Sequence, residues 1–570
     1  MPRADTNLAD RSGNLVESHK GYDPRIVFFY FVIAGLLLVL AVGLAYQQLY
    51  RIGTHEENQR QQSQRLVLFP GSRGLIYDRN RVPLVTNSYR WSAILHLDEL
   101  KAELRREAFR IHANYKDAKT DAKDIPSFTQ RTKIARVSLV QHHLDRINAI
   151  LGREIALDRG AVEKHFERDL LLPFTLVDGL TDEEHARLVE RLPVNSPLEI
   201  QPVIYRSYPF GSAAAHTLGY VRTNPDVEAK GFSGAGLKTF KAKTGTIGKD
   251  GLEKEFDKTL QGEAGGNLYR VDQSGYRINP PLEQRPPKKG QDLVTSLDID
   301  LQIVAENALV GKTAAGMATM PDVVGAAVAL DVKTGEVLVL ASKPDYDLNE
   351  FSPRATQKIV DQIQETRAWN NLALDGLYSP GSTFKILTTI AALRRGAITP
   401  DAPVAFCDGQ IMVGNRAFKC DVGKGHHGNI LLRDAISLSC DVYYYEAGRL
   451  TTARGIAEEA RRFHLDRRTG IELPGETGRM VIPDPDWKQR VKGESWVPGD
   501  TANMSIGQGD VSVSPLQMAC FAASIARDEV FTQPTLIHRP DAPTQRHEPI
   551  GLSPAQRTAL IEGMEGTILR

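Results

Sequence analysis

Residues 26–50, IVFFYFVIAGLLLVLAVGLAYQQLY, carry no charge and are flanked by Arg25 and Arg51. As a helix they would extend roughly 37 Å, enough to cross the hydrocarbon core of a bilayer. A cleaved leader has an apolar core of only about 7–15 residues before a small-residue cleavage site. This run ends instead in Tyr46, Gln47, Gln48 and Tyr50, residue types suited to a membrane–water interface. The expectation is an uncleaved, single-pass anchor. Flanking charge does not set its direction, because Arg3, Arg11, Lys20 and Arg25 before it are matched by Arg51, Arg60, Arg65 and Arg73 after it. The rest of the chain is long enough for several folded units, at roughly 150 residues each. Seventy Lys+Arg balance seventy Asp+Glu, so no whole-chain basic field exists to attract nucleic acid.

Past the anchor, residues 55–65 are polar and read as a stalk. LVLFPGSRGLIYDRNRVPLVTN (66–87) then alternates apolar residues between turn signals, as strands do. Residues 97–191 carry charged helical patterns such as LTDEEHARLVERL, where Thr181 can cap and Glu184 stands three positions on. QRPPKKG (284–290) reads as a linker and a domain boundary, after which QDLVTSLDIDLQIVAENALV reads as a strand and a helix. GAAVALDVKTGEVLVLAS (325–342) is a strand, a turn and a second strand, hence an antiparallel sheet. Helices from residue 382 onward complete an α+β layered class.

The sharpest chemical feature is LYSPGSTFKILTTIAALRRG (377–396), in which Pro380-Gly381 breaks the chain and an apolar helical run continues to Gly396. Ser382 is expected at the helix N-terminus, with Lys385 one turn on and its amine within reach of the hydroxyl. A hydroxyl beside an amine and free backbone N–H groups suits serine acyl transfer; the bland alternative is an N-cap serine and a solvated lysine. A second element, SLSCDVYYY, sets Ser439 and Asp441 in a turn between two helical patterns. Serine enzymes that react with penicillin combine a Ser-x-x-Lys, a Ser-Asp-Asn-like triplet and a Lys-Thr-Gly.

These residues identify a resemblance to the class B penicillin-binding proteins, most closely the elongation-type penicillin-binding protein 2 group. It extends over residues 66–566 through RGLIYDRNRVPLVTN, RSYPFGSAAAHTLGYV, GLEKEFDKTLQG, DVKTGEVLVLASKPDYDLNEF, TGIELPGE and SIGQGDVSVSPLQMA. The resemblance implies a cytoplasmic tail (1–25), one span of the bacterial inner membrane (26–50), a pedestal domain of the dimerisation type (51–290) and a penicillin-binding transpeptidase domain outside the membrane (291–570). It implies Ser382 as the nucleophile on a D-Ala-D-Ala stem peptide, Lys385 as its base, and Ser439 as a proton relay. Asp441 stands where many relatives have Asn. No catalytic cofactor is implied. The expected partners are peptidoglycan stem peptides on glycan from a lipid-linked precursor, β-lactams, the membrane, a membrane glycosyltransferase and other elongation proteins.

A Lys-Thr-Gly or Lys-Ser-Gly should follow Ser439 by more than a hundred residues, and none does. The closing GLSPAQRTALIEGMEGTILR resembles the helix that precedes that strand, so the expectation is a transpeptidase domain cut before its third motif. The triplets at 243–245 and 333–335 precede Ser382 and are rejected as catalytic. A silent, membrane-anchored scaffold is the alternative function. A β-lactam sensor or membrane-linked β-lactamase is a third, disfavoured by the pedestal motifs. Between the two catalytic motifs Cys407, Cys420, His427 and Cys440 form a sufficient tetrahedral set for structural zinc, with Asp408, Asp421 and His426 as alternates; relatives in the group place similar ligands here. A Cys407–Cys420 disulfide and plain buried thiols are the competing readings. His216 is expected to be packed rather than catalytic.

Overall fold

A computed structural model of the chain describes residues 24–50, 62–118, 123–193, 196–224, 237–242, 245–311, 319–320, 322–352, 355–421, 425–540 and 546–569. The tail before residue 24, most of the expected stalk, and Lys243-Thr244 lie outside them. The apolar run forms the helix Pro24–Ala45, continued by a wider π turn at Tyr46–Tyr50. Its side chains are exposed along its length, which in water would be unfavourable and in lipid is the required arrangement.

Among the described residues the N-terminal half contains two larger sheets and a two-stranded pair, Val221–Thr223 with Thr246–Gly248. In the first, Gln64–Phe69 lies between Gly265–Arg270, antiparallel, and Lys238–Lys241, parallel. In the second, Pro83–Leu95 pairs with Leu198–Ser207, Phe174–Leu180 and Ile76–Tyr77, all antiparallel. The charged region between them folds into the helices Lys101–Asp117, Phe128–Leu151, Arg159–Arg168 and Asp182–Arg191. Thr181 and Glu184 form the anticipated reciprocal cap of the last helix.

The segment 284–290 is not a free linker. Glu283–Arg285 adds to the first sheet, and Lys288 and Gly290 donate their N–H groups to Glu263 O and Ser72 O. Its Pro and Lys content suggested a tether, but the partners that absorb its backbone groups are remote in sequence. Leu293–Val294 then pairs in parallel with Ile76–Tyr77, so the two halves share structure at their junction. One buried cluster crosses it, joining Ile76, Leu84, Leu218 and Leu252 to Leu340, Leu374, Leu516 and Phe531.

Several sequence stretches converge on one buried charge network. Glu253 is 0% exposed. Its Oε2 accepts from Arg73 Nε at 2.9 Å and its Oε1 from Arg206 Nε at 2.7 Å. Arg73 Nη1 reaches Asp257 at 2.7 Å, and Arg206 Nη1 reaches Asn87 at 2.8 Å. Burying a carboxylate is tolerable only with such pairing. His216 is buried nearby in the junction with Nε2 2.6 Å from Ala368 O. Burial and that carbonyl act on its pKa in opposite directions, and burial prevails, holding it below the ordinary histidine value.

In the C-terminal half, Gly325–Leu330 and Val337–Lys343 form the expected antiparallel hairpin. Helices surround a core of Phe384, Leu387, Tyr443, Tyr444, Ile456 and Phe521. Pro554–Leu569 packs on Leu432–Ser437, where a Cβ on Gly563 would stand 2.8 Å from Ile436 Cδ1. The molecule is thus α+β, as its sequence indicates.

Candidate active site

Ser382 does not begin a regular α-helix. It lies in a 3-10 turn, Gly381–Phe384, directly before the helix Lys385–Arg394. A second loop pins that turn: Gly381 N–H donates to Gly507 O at 2.9 Å, and Thr388 Oγ1 donates to Ser505 O at 2.8 Å. Gly507 has φ +70, and a Cβ there would meet Phe384 Cβ at 2.5 Å. Only glycine permits both the left-handed backbone and the close approach. The Ser382 side is exposed, and its hydroxyl has no hydrogen-bond partner among the described residues.

Lys385 is 3% exposed, and the hydrogen bonds of its Nζ among the described residues go to the second motif. Nζ donates to Ser439 O at 2.8 Å, Ser439 Oγ at 2.9 Å and Asp441 Oδ1 at 2.6 Å. Beneath it lies the Tyr444 ring, 5.5 Å from Nζ, whose hydroxyl is 2.8 Å from Thr389 Oγ1. The residue spacing placed serine and lysine on one face, but three protons of a buried ammonium need three acceptors, and the second motif supplies them.

That motif owes its shape to the end of one helix and the start of the next. Leu432–Ser437 closes with Ser439 at φ +53, and Cys440 N–H returns to Ala435 O. This is a left-handed helix ending of the kind usually given to glycine. A serine there costs about 1–3 kcal/mol and directs Oγ to the lysine. Asp441 opens the helix Asp441–Thr451, where a carboxylate is favoured by the helix dipole.

Cys407, Cys420, His427 and Cys440 come together, with donor atoms all within 4.8 Å of one another. Cys407 reaches His427 through the short pairing of Phe406–Cys407 with Gly428–Asn429. Cys420 lies just beyond the hairpin of Gln410–Val413 and Arg416–Lys419, its N–H on Gly409 O. His427 Nδ1 is 3.6 Å from Cys407 Sγ and 3.7 Å from Cys420 Sγ, and Cys420 and Cys440 Sγ are 3.9 Å apart. A tetrahedral ion with Zn–S about 2.3 Å and Zn–N about 2.0–2.1 Å has ligand edges of roughly 3.6–3.8 Å, close to these three separations, within a set whose donors span no more than 4.8 Å. The cysteines are unbridged, unlike the disulfide alternative. Burial pushes the Cys420 and Cys440 thiols up, the situation a bound cation would relieve. Asp408, Asp421 and His426 stand outside the set.

Sequence reasoning missed the Gly507 clasp, the Tyr444–Thr389 support and a contact from Asp421 N–H to Asp441 Oδ2 at 3.1 Å. The glycine in SIGQG was the one available signal. A cavity of about 710 Å³ lies away from these groups, lined by Met412, Tyr445, Arg449, Trp496 and Pro498 among others.

Residues 69–295 match the model of the penicillin-binding protein dimerisation domain, and residues 325–562 that of the penicillin-binding protein transpeptidase domain. The chain is 29% identical over 509 residues to the peptidoglycan D,D-transpeptidase MrdA of Acinetobacter baumannii, covering 89% of this chain and 67% of the relative. To MrdA of Escherichia coli K12 it is 27% identical, covering 88% and 72%. Among solved structures it resembles the complex of penicillin-binding protein PBP2 with MreC from Helicobacter pylori, with TM-score 0.64, 24% identity, and 88% and 84% of the two chains covered. A peptidoglycan synthase complex that coordinates polymerisation and crosslinking gives TM-score 0.62 at 25% identity over 95% and 84%.

Proposed function

Because the chain belongs to the class B penicillin-binding proteins of the elongation-type penicillin-binding protein 2 group, we propose that it is a peptidoglycan D,D-transpeptidase acting through an acyl-enzyme on Ser382. The observation that carries this reading is the Lys385 amine held by Ser439 and Asp441 one turn from an exposed, unengaged serine hydroxyl. Ser382 Oγ attacks the carbonyl carbon of the penultimate D-Ala, and its proton passes to Lys385 in the neutral form. The bond to the terminal D-Ala breaks, and Ser439 relays a proton to the leaving amine. An amine of a second stem peptide then attacks the ester, restoring Oγ–H and completing the cross-link. A β-lactam presents the same acyl group without a diffusible leaving group, so the ester persists.

The sequence division extends this reading: tail 1–25, anchor 26–50, pedestal 51–290 and catalytic domain 291–570, the bulk lying outside the bacterial inner membrane. A membrane glycosyltransferase and other elongation proteins are the partners proposed, with glycan-borne stem peptides as substrate. At Cys407, Cys420, His427 and Cys440, zinc would serve as a structural crosslink between the hairpin base and the second motif. The test is release of D-Ala from a stem pentapeptide by the native protein taken from its membrane, against Ser382→Ala. Release that depends on Ser382 supports the proposal; equal release by the variant rejects it.

A further inference from the structure

The two oxygens of Asp441 have different partners. Oδ1 takes the Lys385 ammonium at 2.6 Å, and Oδ2 accepts the main-chain N–H of Asp421 at 3.1 Å. The reaction above makes no use of the second contact. It comes from the loop that carries Cys420, whose Sγ is 3.9 Å from the Sγ of Cys440, the residue before Asp441. The same loop therefore touches the second motif twice, once through sulfur and once through a backbone donor. The Asp421 side chain itself is exposed and stands outside the thiol cluster.

We infer that Asp421 is a positioning residue: its N–H fixes the Asp441 carboxylate, and through it the place of the Lys385 amine beside Ser439, one turn from Ser382. The inference rests on the acyl-transfer reading above. A carboxylate turns easily about its last torsion, which has broad, roughly two-fold preferences. One oxygen held by a charge-assisted bond from the rigid main chain leaves the other aimed at Nζ. When Lys385 gives up a proton to become the base, it keeps two donors and gains one lone pair. The direction of that lone pair depends on which acceptors stay in place, and a fixed Asp441 is one of them.

The main chain can be tested because proline lacks the donor and alanine retains it. In the native protein, noncovalent β-lactam affinity and the acylation rate of Ser382 are measured separately, with bound metal and melting temperature. Asp421→Pro is expected to acylate about tenfold or more slowly, the size of one lost hydrogen bond to a charge, with affinity within about twofold. Asp421→Ala should match the wild type. In an Asp441→Ala background, adding Asp421→Pro should change nothing further. Acylation of Asp421→Pro at the wild-type rate, an equally slow Asp421→Ala, or an additive loss in the double variant would each overturn the inference. If Asp421→Pro does not fold, an ester in place of the amide at position 421 removes the same N–H: slow acylation upholds the inference and unchanged acylation overturns it. A wild type that never acylates Ser382 refutes instead the reading on which the inference stands, and takes it along.

Discussion

Two buried networks use the same chemistry for opposite ends. In the pedestal, both oxygens of Glu253 are taken by Arg73 and Arg206, whose other donors reach Asp257 and Asn87. Among the described residues no serine or cysteine side chain bonds to these side-chain groups, and the network ties together segments as far as 184 residues apart. In the catalytic half, Lys385 and Asp441 form a similarly close pair, yet one turn away the Ser382 hydroxyl remains exposed and unengaged. Charges bound only to fixed partners hold a fold. Charges with a reactive neighbour at their edge can hold a fold and move a proton.

The comparison breaks most visibly at Lys385. Replacing it with alanine should slow acylation by a β-lactam about 10²- to 10⁴-fold, as read by stopped-flow labelling, with labelling of the wild type as reference. A variant that acylates normally would remove the contrast between the two networks. In the pedestal, Glu253→Gln should cost about 3–5 kcal/mol of stability, seen as a lower melting temperature. The molecules that remain folded should acylate at the wild-type rate, and a selective loss of acylation at unchanged stability would show that the pedestal network is not merely structural.

The thiol–imidazole cluster sharpens the same line, since it lies against the second motif. Chelation of metal from the native protein should lower the melting temperature by several degrees, with zinc recovered in the filtrate by elemental analysis; a metal-free native protein would contradict the crosslink. The smallest effect concerns His143, buried in the helix Phe128–Leu151 with Nε2 unpartnered. Burial first, then neighbouring His142 and Arg146, hold it down at about 4. The unfolded chain, near 6.5, takes the proton first as pH falls. This contribution to stability is therefore complete above about pH 6.5 and is lost between there and pH 4. His143→Gln should flatten that part of a urea-midpoint profile, and an unchanged slope would assign the acid sensitivity elsewhere.

What the sequence discloses follows from the range of the interactions involved. The membrane span, the reciprocal cap of Thr181 and Glu184, and the hairpin around Gly335 are local, and each is written in adjacent residues. The two motifs that carry Ser382, Lys385, Ser439 and Asp441 are also local, so these residues could be singled out as candidates. Their mutual arrangement could not. Lys385 prefers the acceptors of a loop more than fifty residues on, which no helical spacing reveals, and the Gly507 clasp is a contact between distant glycines. Residues 284–290 illustrate the same limit: composition suggested a tether, whereas partners at Ser72 and Glu263 fix it.

The most direct test is to expose the native protein, extracted from its own membrane, to a penicillin and map the adduct by mass spectrometry. The account predicts one acyl adduct, on the tryptic peptide spanning residues 368–385, localised to Ser382 and absent from Ser382→Ala. An adduct on a different residue, or none while D-Ala release continues, would contradict it.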